Sequence, residues 1–278
     1  MRLFMRFPGG KTKTLTFSYD DNVIEDIRLI ELFKKYGLKG TFNINTGMYS
    51  PREGFAESPS HTRLTRQQAI ALYKDSGFEV ASHGVTHPFM TQIPAKAATA
   101  DVMLDIVSIE KDYGTFVRGY AYPYGAYNEE VKNILKNCGI VYARTVNSSH
   151  GFDIPTDWLE LRPTCHHDDE KLFELADRFN FAEVHRAPLM FYIWGHGYEF
   201  KMNNNWDRIE KIAEMLSGRD DTWYATNIEI YDYIDAYKRL IFDSGVTKVY
   251  NPTVTDIWFE LDDKIFKVSA GETLAMTK

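Results

Sequence analysis

Two cysteines in 278 residues, Cys138 and Cys165, are too few for a disulfide framework and suit a reducing compartment. No stretch approaches the run of about 20 apolar residues that spans a bilayer. The opening "MRLFMRFPGGKTKT" lacks an apolar core of secretory length and a small-residue cleavage pattern. The expectation is therefore a cytoplasmic protein with no membrane partner. Basic charge is also in deficit, with 32 Lys and Arg against 39 Asp and Glu, a net charge of −7. That balance excludes a nucleic-acid partner, because contact with phosphates needs a basic surface. Low-complexity segments and repeats of solenoid period are missing too.

Aromatic residues, in contrast, are plentiful: 17 Tyr, 18 Phe and 5 Trp. Most must be core, although aromatic faces also stack on sugars. Short β-prone runs alternate with amphipathic ones. "KTLTFSY", "KGTFNI", "FEVAS", "FVRGYAY", "IVYARTV", "APLMFYIW" and "TWYAT" read as strands. Between them lie helical segments. The first follows Asn22 as N-cap, with Ile24, Ile27 and Leu32 at helical spacing and Gly37 as stop. A second opens on a Thr65–Gln68 capping box, and a later one runs from Asn128 to Gly139. The last is expected over "NIEIYDYIDAYKRLIF". Seven or eight repeated βα units predict a parallel, barrel-like α/β fold, with function at the C-terminal strand ends. After Gly245 the pattern turns to apolar–polar alternation, with Asp262-Asp263 as a tight turn. The expected division is a barrel over residues 1–244 and a small C-terminal β-hairpin appendage over 245–278, packed on the barrel.

Chemistry-bearing side chains gather at those strand ends. Strand "LTFSY" stops at Asp20-Asp21, two adjacent carboxylates that repel each other. "FEVAS" leads into His83 and His87, and "LMFYIW" into His196. Two imidazoles four residues apart and one carboxylate form a ligand set that zinc accepts with a position left open for water. An HxxxH pair alone is weak evidence, and a lone histidine after a strand is more often structural. Their placement at strand ends is what raises them. "AYPYGAYN" adds a Pro-Tyr-Gly turn that presents either a backbone N–H and a ring, or only a turn.

Together these residues resemble the polysaccharide deacetylase family, carbohydrate esterase family 4, also called the NodB homology family. Ser18-Tyr19-Asp20-Asp21 is similar to that family's first motif. His83-Gly84-Val85-Thr86-His87 is similar to its second, with Gly84 where Ser or Thr is usual. Ala121-Tyr122-Pro123-Tyr124 meets the third in part, and Ile193-Trp194-Gly195-His196 looks like the fifth. The motifs come in the family's order, over about residues 12 to 240. The fourth has no clear match, although His166 and His167 sit near its place, either lining the site or lying at the surface.

The resemblance implies a distorted (β/α) barrel of about seven strands, and removal of N-acetyl groups from an amino-sugar oligosaccharide or polysaccharide by metal-dependent amide hydrolysis. Asp21, His83 and His87 would hold one divalent metal, zinc first, with cobalt, nickel or iron as alternatives. Asp20 would be the general base, His196 the general acid, and Tyr124 and Trp194 the oxyanion and substrate contacts. The third motif's arginine is Ala121 here. Arg118, Arg144 and Arg162 are candidates to orient the base in its stead, with Arg144 favoured because it follows its own strand. A cyclic-amide hydrolase of the allantoinase-like branch would keep the same fold. A non-catalytic sugar-binding barrel would have no use for a base and an acid.

Overall fold

The computed structural model describes residues 1–55 and 61–276. Numbered in chain order, its strands are β1 (Leu3–Arg6), β2 (Lys13–Asp20), β3 (Gly40–Ile44), β4 (Glu79–Ser82), β5 (Gly119–Ala121), β6 (Tyr142–Arg144) and β7 (Cys165–His166). They continue as β8 (Leu189–His196), β9 (Thr222–Tyr224), β10 (Ile241–Phe242), β11 (Lys248–Tyr250), β12 (Ile257–Leu261), β13 (Lys264–Val268) and β14 (Thr273–Ala275). The helices are α1 (Asp26–Lys35), α2 (Arg66–Tyr73), α3 (Ala95–Tyr113), α4 (Glu129–Asn137), α5 (Leu172–Phe181), α6 (Gly197–Met202), α7 (Trp206–Leu216) and α8 (Asn227–Lys238).

Strand β2 is buried along its whole length, yet it alternates Thr14, Thr16, Ser18 and Asp20 with Leu15, Phe17 and Tyr19. The apolar set joins the main core with α1 residues Leu29, Ile30 and Phe33. The polar set faces the other way, so the inner side of the sheet is hydrogen-bonded rather than oily. Every pairing is parallel, in the order β6-β5-β4-β3-β2-β8-β7, and β9 docks beside the first half of β2. Residues 161–166 draw the two edges together: Leu161 bridges Arg144 of β6, while Cys165 and His166 pair with β8. This is the parallel, barrel-like sheet that the βα repeat predicts and the distorted barrel of about seven strands that the resemblance implies. Among the described residues, no helix is long and apolar enough to cross a membrane.

Two boundaries differ from expectation. Helix α1 starts at Asp26, not after Asn22, and Ile24 and Ile27 lie at the surface. Asp21 and Asn22 take left-handed backbone angles, and the Asn22 side chain accepts the Asn45 N–H at 3.0 Å instead of capping a helix. Helix α8 ends at Lys238, because Ile241 and Phe242 pair with β11 as β10. Beyond it, β10-β11-β14 and β1-β12-β13 form two small sheets, so the N-terminal strand pairs with the C-terminal segment. Asp262 and Asp263 turn β12 into β13 with positive φ at both residues, the backbone a two-residue hairpin needs.

Candidate active site

The C-terminal ends of β2, β4, β6 and β8 open into a cavity of about 450 Å³, lined by Asp20, Asp21, His83, His87, Arg144 and His196, with Tyr124, Trp194 and Tyr198 around them. The register explains the gathering. Asp20 lies opposite Asn43 on one side and opposite His196 on the other, so parallel pairing brings distant residues to one level.

Asp20 is buried and its two oxygens have different partners. Oδ1 accepts from the Asn43 amide at 2.8 Å, and Oδ2 accepts from the Arg144 guanidinium. The nearest ring nitrogens, Nε2 of His83 and of His196, are 3.8 and 3.9 Å from that same Oδ2. Burial alone would raise the Asp20 pKa. Arg144, then His83 and His196, outweigh it and hold the carboxyl below its usual range. Arg118 and Arg162 are engaged elsewhere, with Asp232 at 2.7 Å and Glu160 at 2.6 Å. Of the three arginines, Arg144 is the one at Asp20.

Asp21, His83 and His87 offer one ligand atom each, all within 4.8 Å of one another. Nδ1 of His83 lies 2.8 Å from the Ala121 carbonyl, which can only accept, so Nδ1 carries the proton and Nε2 is left free to ligate. The residue at the missing arginine's place thus serves through its backbone. Burial lowers the pKa of His83 to about 4 and also lowers that of His87, keeping both imidazoles neutral. Burial works against an ionised Asp21, but the positive charge around it more than compensates and brings it to about 2, Arg63 supplying the part that needs no protonated imidazole. Two neutral imidazoles and an ionised carboxylate fit a divalent cation of the zinc type. The HxxxH segment is a tight turn with left-handed Gly84 and His87, fastened by Asp101, which accepts from the Val85 and Thr86 N–H groups at 2.9 and 3.1 Å. A Cβ on Gly84 would meet Asp101 Oδ1 at 2.6 Å, which is why glycine stands where the resemblance leads one to expect Ser or Thr.

Across the cavity, His196 Nδ1 lies 3.2 Å from Glu199 Oε2, which also accepts the His196 backbone N–H at 2.8 Å. Nε2 of His166 approaches the same oxygen to 3.1 Å. Burial alone would depress His196. The Glu199 carboxylate and Asp20 more than offset it, leaving the pKa above the usual histidine value. Glu199 is itself held well below the carboxylate range, since His166 and His196 overcome its burial. His167 is buried core, stacked between Tyr19 and Phe200, so a surface position for it is corrected. Gly195 has the His167 ring against it, where no side chain would fit.

At the mouth, exposed Tyr124 stacks on Phe89 with centroids 3.8 Å apart, and His87 packs against its edge. Its φ of 57° is unusual for a tyrosine. Trp194 lines the wall with Arg144 over its ring at 4.3 Å. Sequence reasoning missed Asn43, His61, Arg63 and Tyr198. Arg63 donates to the Asp21 carbonyl at 2.7 Å and lies 3.3 Å from its carboxylate. His61 packs on Tyr198 at 4.4 Å. Only the alternation of His61 and Arg63 in "HTRLT" hinted that both side chains share one face of an extended segment.

Residues 8–143 match the family model of polysaccharide deacetylases. A peptidoglycan deacetylase from Helicobacter pylori is 30% identical over 116 residues, which cover 41% of this chain and 34% of that protein. The chain thus matches about a third of that relative's length. The Xyl-CE4 domain of a multidomain xylanase, from the hindgut metagenome of Trinervitermes trinervoides, superposes with a TM-score of 0.52 at 16% identity, over 81% of this chain and 92% of that one. A CE4 family pseudoenzyme from Bacillus anthracis gives 0.50 at 17% identity, over 81% and 67%. These likenesses establish the fold, and a pseudoenzyme shares it. The side chains must therefore carry the argument for activity.

Proposed function

We propose that this chain, whose residues 8–143 match the family model of polysaccharide deacetylases, is a metal-dependent hydrolase that removes N-acetyl groups from an amino-sugar oligosaccharide or polysaccharide. The observation that carries this reading is the meeting of Asp20, Asp21, His83, His87 and His196 in one cavity, with Arg144 on the base although the third motif lacks its arginine.

Asp21, His83 and His87 would hold the cation, zinc first. When bound there, such a cation acidifies a water and polarises the scissile carbonyl. The remaining work falls to side chains of the chain itself. Asp20, kept ionised by Arg144, accepts the proton of the attacking water at Oδ2. His196, kept protonated by Glu199, donates from Nε2 to the departing nitrogen as the C–N bond breaks. The wall formed by Trp194 and the rings of Tyr124 and Tyr198 offers apolar faces to a sugar and excludes water from its acetamide.

The test is acetate release from a panel of N-acetylglucosamine oligomers and from acetylated glycan polymer, with metal content measured on the same protein. Release that is abolished in Asp20→Asn is expected. A folded, metal-loaded protein that frees no acetate from any of them overturns the reading.

A further inference from the structure

The inner face of the barrel directly beneath the proposed base is polar and dry. Thr16, Ser18, Asn43, Tyr192 and Asn227 are each no more than 1% exposed. They form one continuous file. The Asn43 amide nitrogen donates to Asp20 Oδ1 at 2.8 Å and to Ser18 Oγ at 2.7 Å. Ser18 in turn lies close enough to the Tyr192 hydroxyl to bear on its ionisation. The Asn227 amide donates to that hydroxyl at 2.8 Å, and Asn227 Oδ1 accepts from Thr16 Oγ1 at 2.9 Å. Burying polar groups of this kind costs free energy unless each is paired, and the Asn43 side-chain oxygen Oδ1 has no partner. An apolar side chain of the same size would fill the position without that cost. The file is therefore best accounted for by what it does to Asp20.

We propose that Asn43 is a positioning residue that selects which oxygen of Asp20 faces the reaction, and that Ser18 and Tyr192 fix the amide in the orientation this needs. The proposal rests on Asp20 as base. A carboxylate only accepts, so the Asn43 nitrogen, not its oxygen, must face Asp20. Flipping the amide would set two oxygens against each other, and the donor bond to Ser18 opposes the flip. With Oδ1 tied into the barrel in this way, Oδ2 is the oxygen turned toward His83 and His196, and it meets Arg144 there. Without Asn43 the carboxylate can rotate, and the geometry for taking a proton from water is lost for much of the time.

The experiment compares Asn43→Leu, Tyr192→Phe and Asp20→Asn with the wild-type protein, using para-nitrophenyl acetate and an N-acetylglucosamine oligomer as substrates. Asn43→Leu should keep its metal and a KM within about twofold of wild type while kcat falls about a hundredfold. Its melting temperature should fall modestly, since Asp20 Oδ1 and Ser18 Oγ lose a donor, so it is the fall in kcat at unchanged KM that separates positioning from a merely structural role. Tyr192→Phe should show the same split at a smaller size, about threefold to tenfold in kcat. If Asn43→Leu does not fold, Asn43→Ala is read by the same criteria. A metal-loaded, folded Asn43 variant within about threefold of wild-type kcat overturns the proposal, provided Asp20→Asn is inactive. An active Asp20→Asn protein removes the base assignment itself, and the positioning role with it.

Discussion

Arg144 and Asp20 stand 124 residues apart in the chain and form a buried ion pair inside the barrel. The arginine reaches the carboxylate from the end of β6, and the segment over 161–166 keeps β6 within reach of the far side of the sheet. A buried charge that loses its partner is costly, so this pair is sensitive to change at either end.

Arg144→Ala should bind metal as wild type does but lose kcat by about a hundredfold to a thousandfold, since the base is left buried without its cation. The acid limb of the pH–rate profile should move upward, because the largest influence holding Asp20 ionised is gone. Arg144→Lys should recover part of the rate. Wild-type turnover in Arg144→Ala would remove this residue from the site.

Metal analysis checks the ligand set. Wild-type protein should carry about one divalent ion per chain, lose activity on chelation and regain it with zinc or cobalt. His83→Ala should purify folded with little metal. Equal metal in mutant and wild type would mean that the ion sits elsewhere.

Glu199→Gln tests the acid. His196 is raised above the usual histidine value of about 6.5 despite its burial, and the Glu199 carboxylate beside Nδ1 is the largest influence that raises it. The active form needs His196 protonated, so rate should fall as pH rises through its pKa. Replacing Glu199 by Gln should bring that fall to lower pH and reduce amide turnover more than turnover of an activated aryl ester. An unmoved alkaline limb would detach Glu199 from the acid.

Gly84→Ser restores the side chain expected at that place by resemblance, and should harm this protein. Its Cβ would press on Asp101 in a backbone with φ of +78°. The cost in stability should be about 1–2 kcal/mol, with weaker metal binding, measurable by denaturation and competition with a chelator. The double variant Gly84→Ser/Asp101→Gly should relieve the contact but lose the hydrogen bonds that fasten the loop.

Glu79, at the opposite end of the barrel, gives a stability signature independent of catalysis. Burial raises its pKa to about 7 although Thr41, Tyr142 and the Ile228 N–H bond to it. A folded-state pKa above the unfolded one gives stability that is full below the unfolded value of about 4.5 and lost as pH rises through about 7. The melting temperature of Glu79→Gln, relative to wild type, should therefore rise between about pH 5 and pH 8. A difference flat in pH would show that Glu79 is already ionised in the folded protein.

Strand ends and their side chains were legible in the sequence because they are local. The apolar run into Asp20-Asp21, the run into His83 and His87, and the run into His196 each show a β period that stops at a chemistry-bearing residue. Parallel βα repetition then implies that such ends share one rim. Helix α1 was misplaced for an equally physical reason: Asn22 looks like a cap, but its side chain is spent on Asn45 across a loop. Which arginine reaches Asp20 could only be ranked, since Arg118, Arg144 and Arg162 differ in strand register rather than in local pattern. Asn43, buried beneath the base, carried no signal, because "TFNI" reads as an ordinary strand until β2 is paired beside it at Asp20. The sequence by itself thus determined the barrel and the residue types at its rim, through short-range periodicity. The tertiary structure alone decided the partners of each oxygen and each ring nitrogen, because those depend on register between strands distant in sequence.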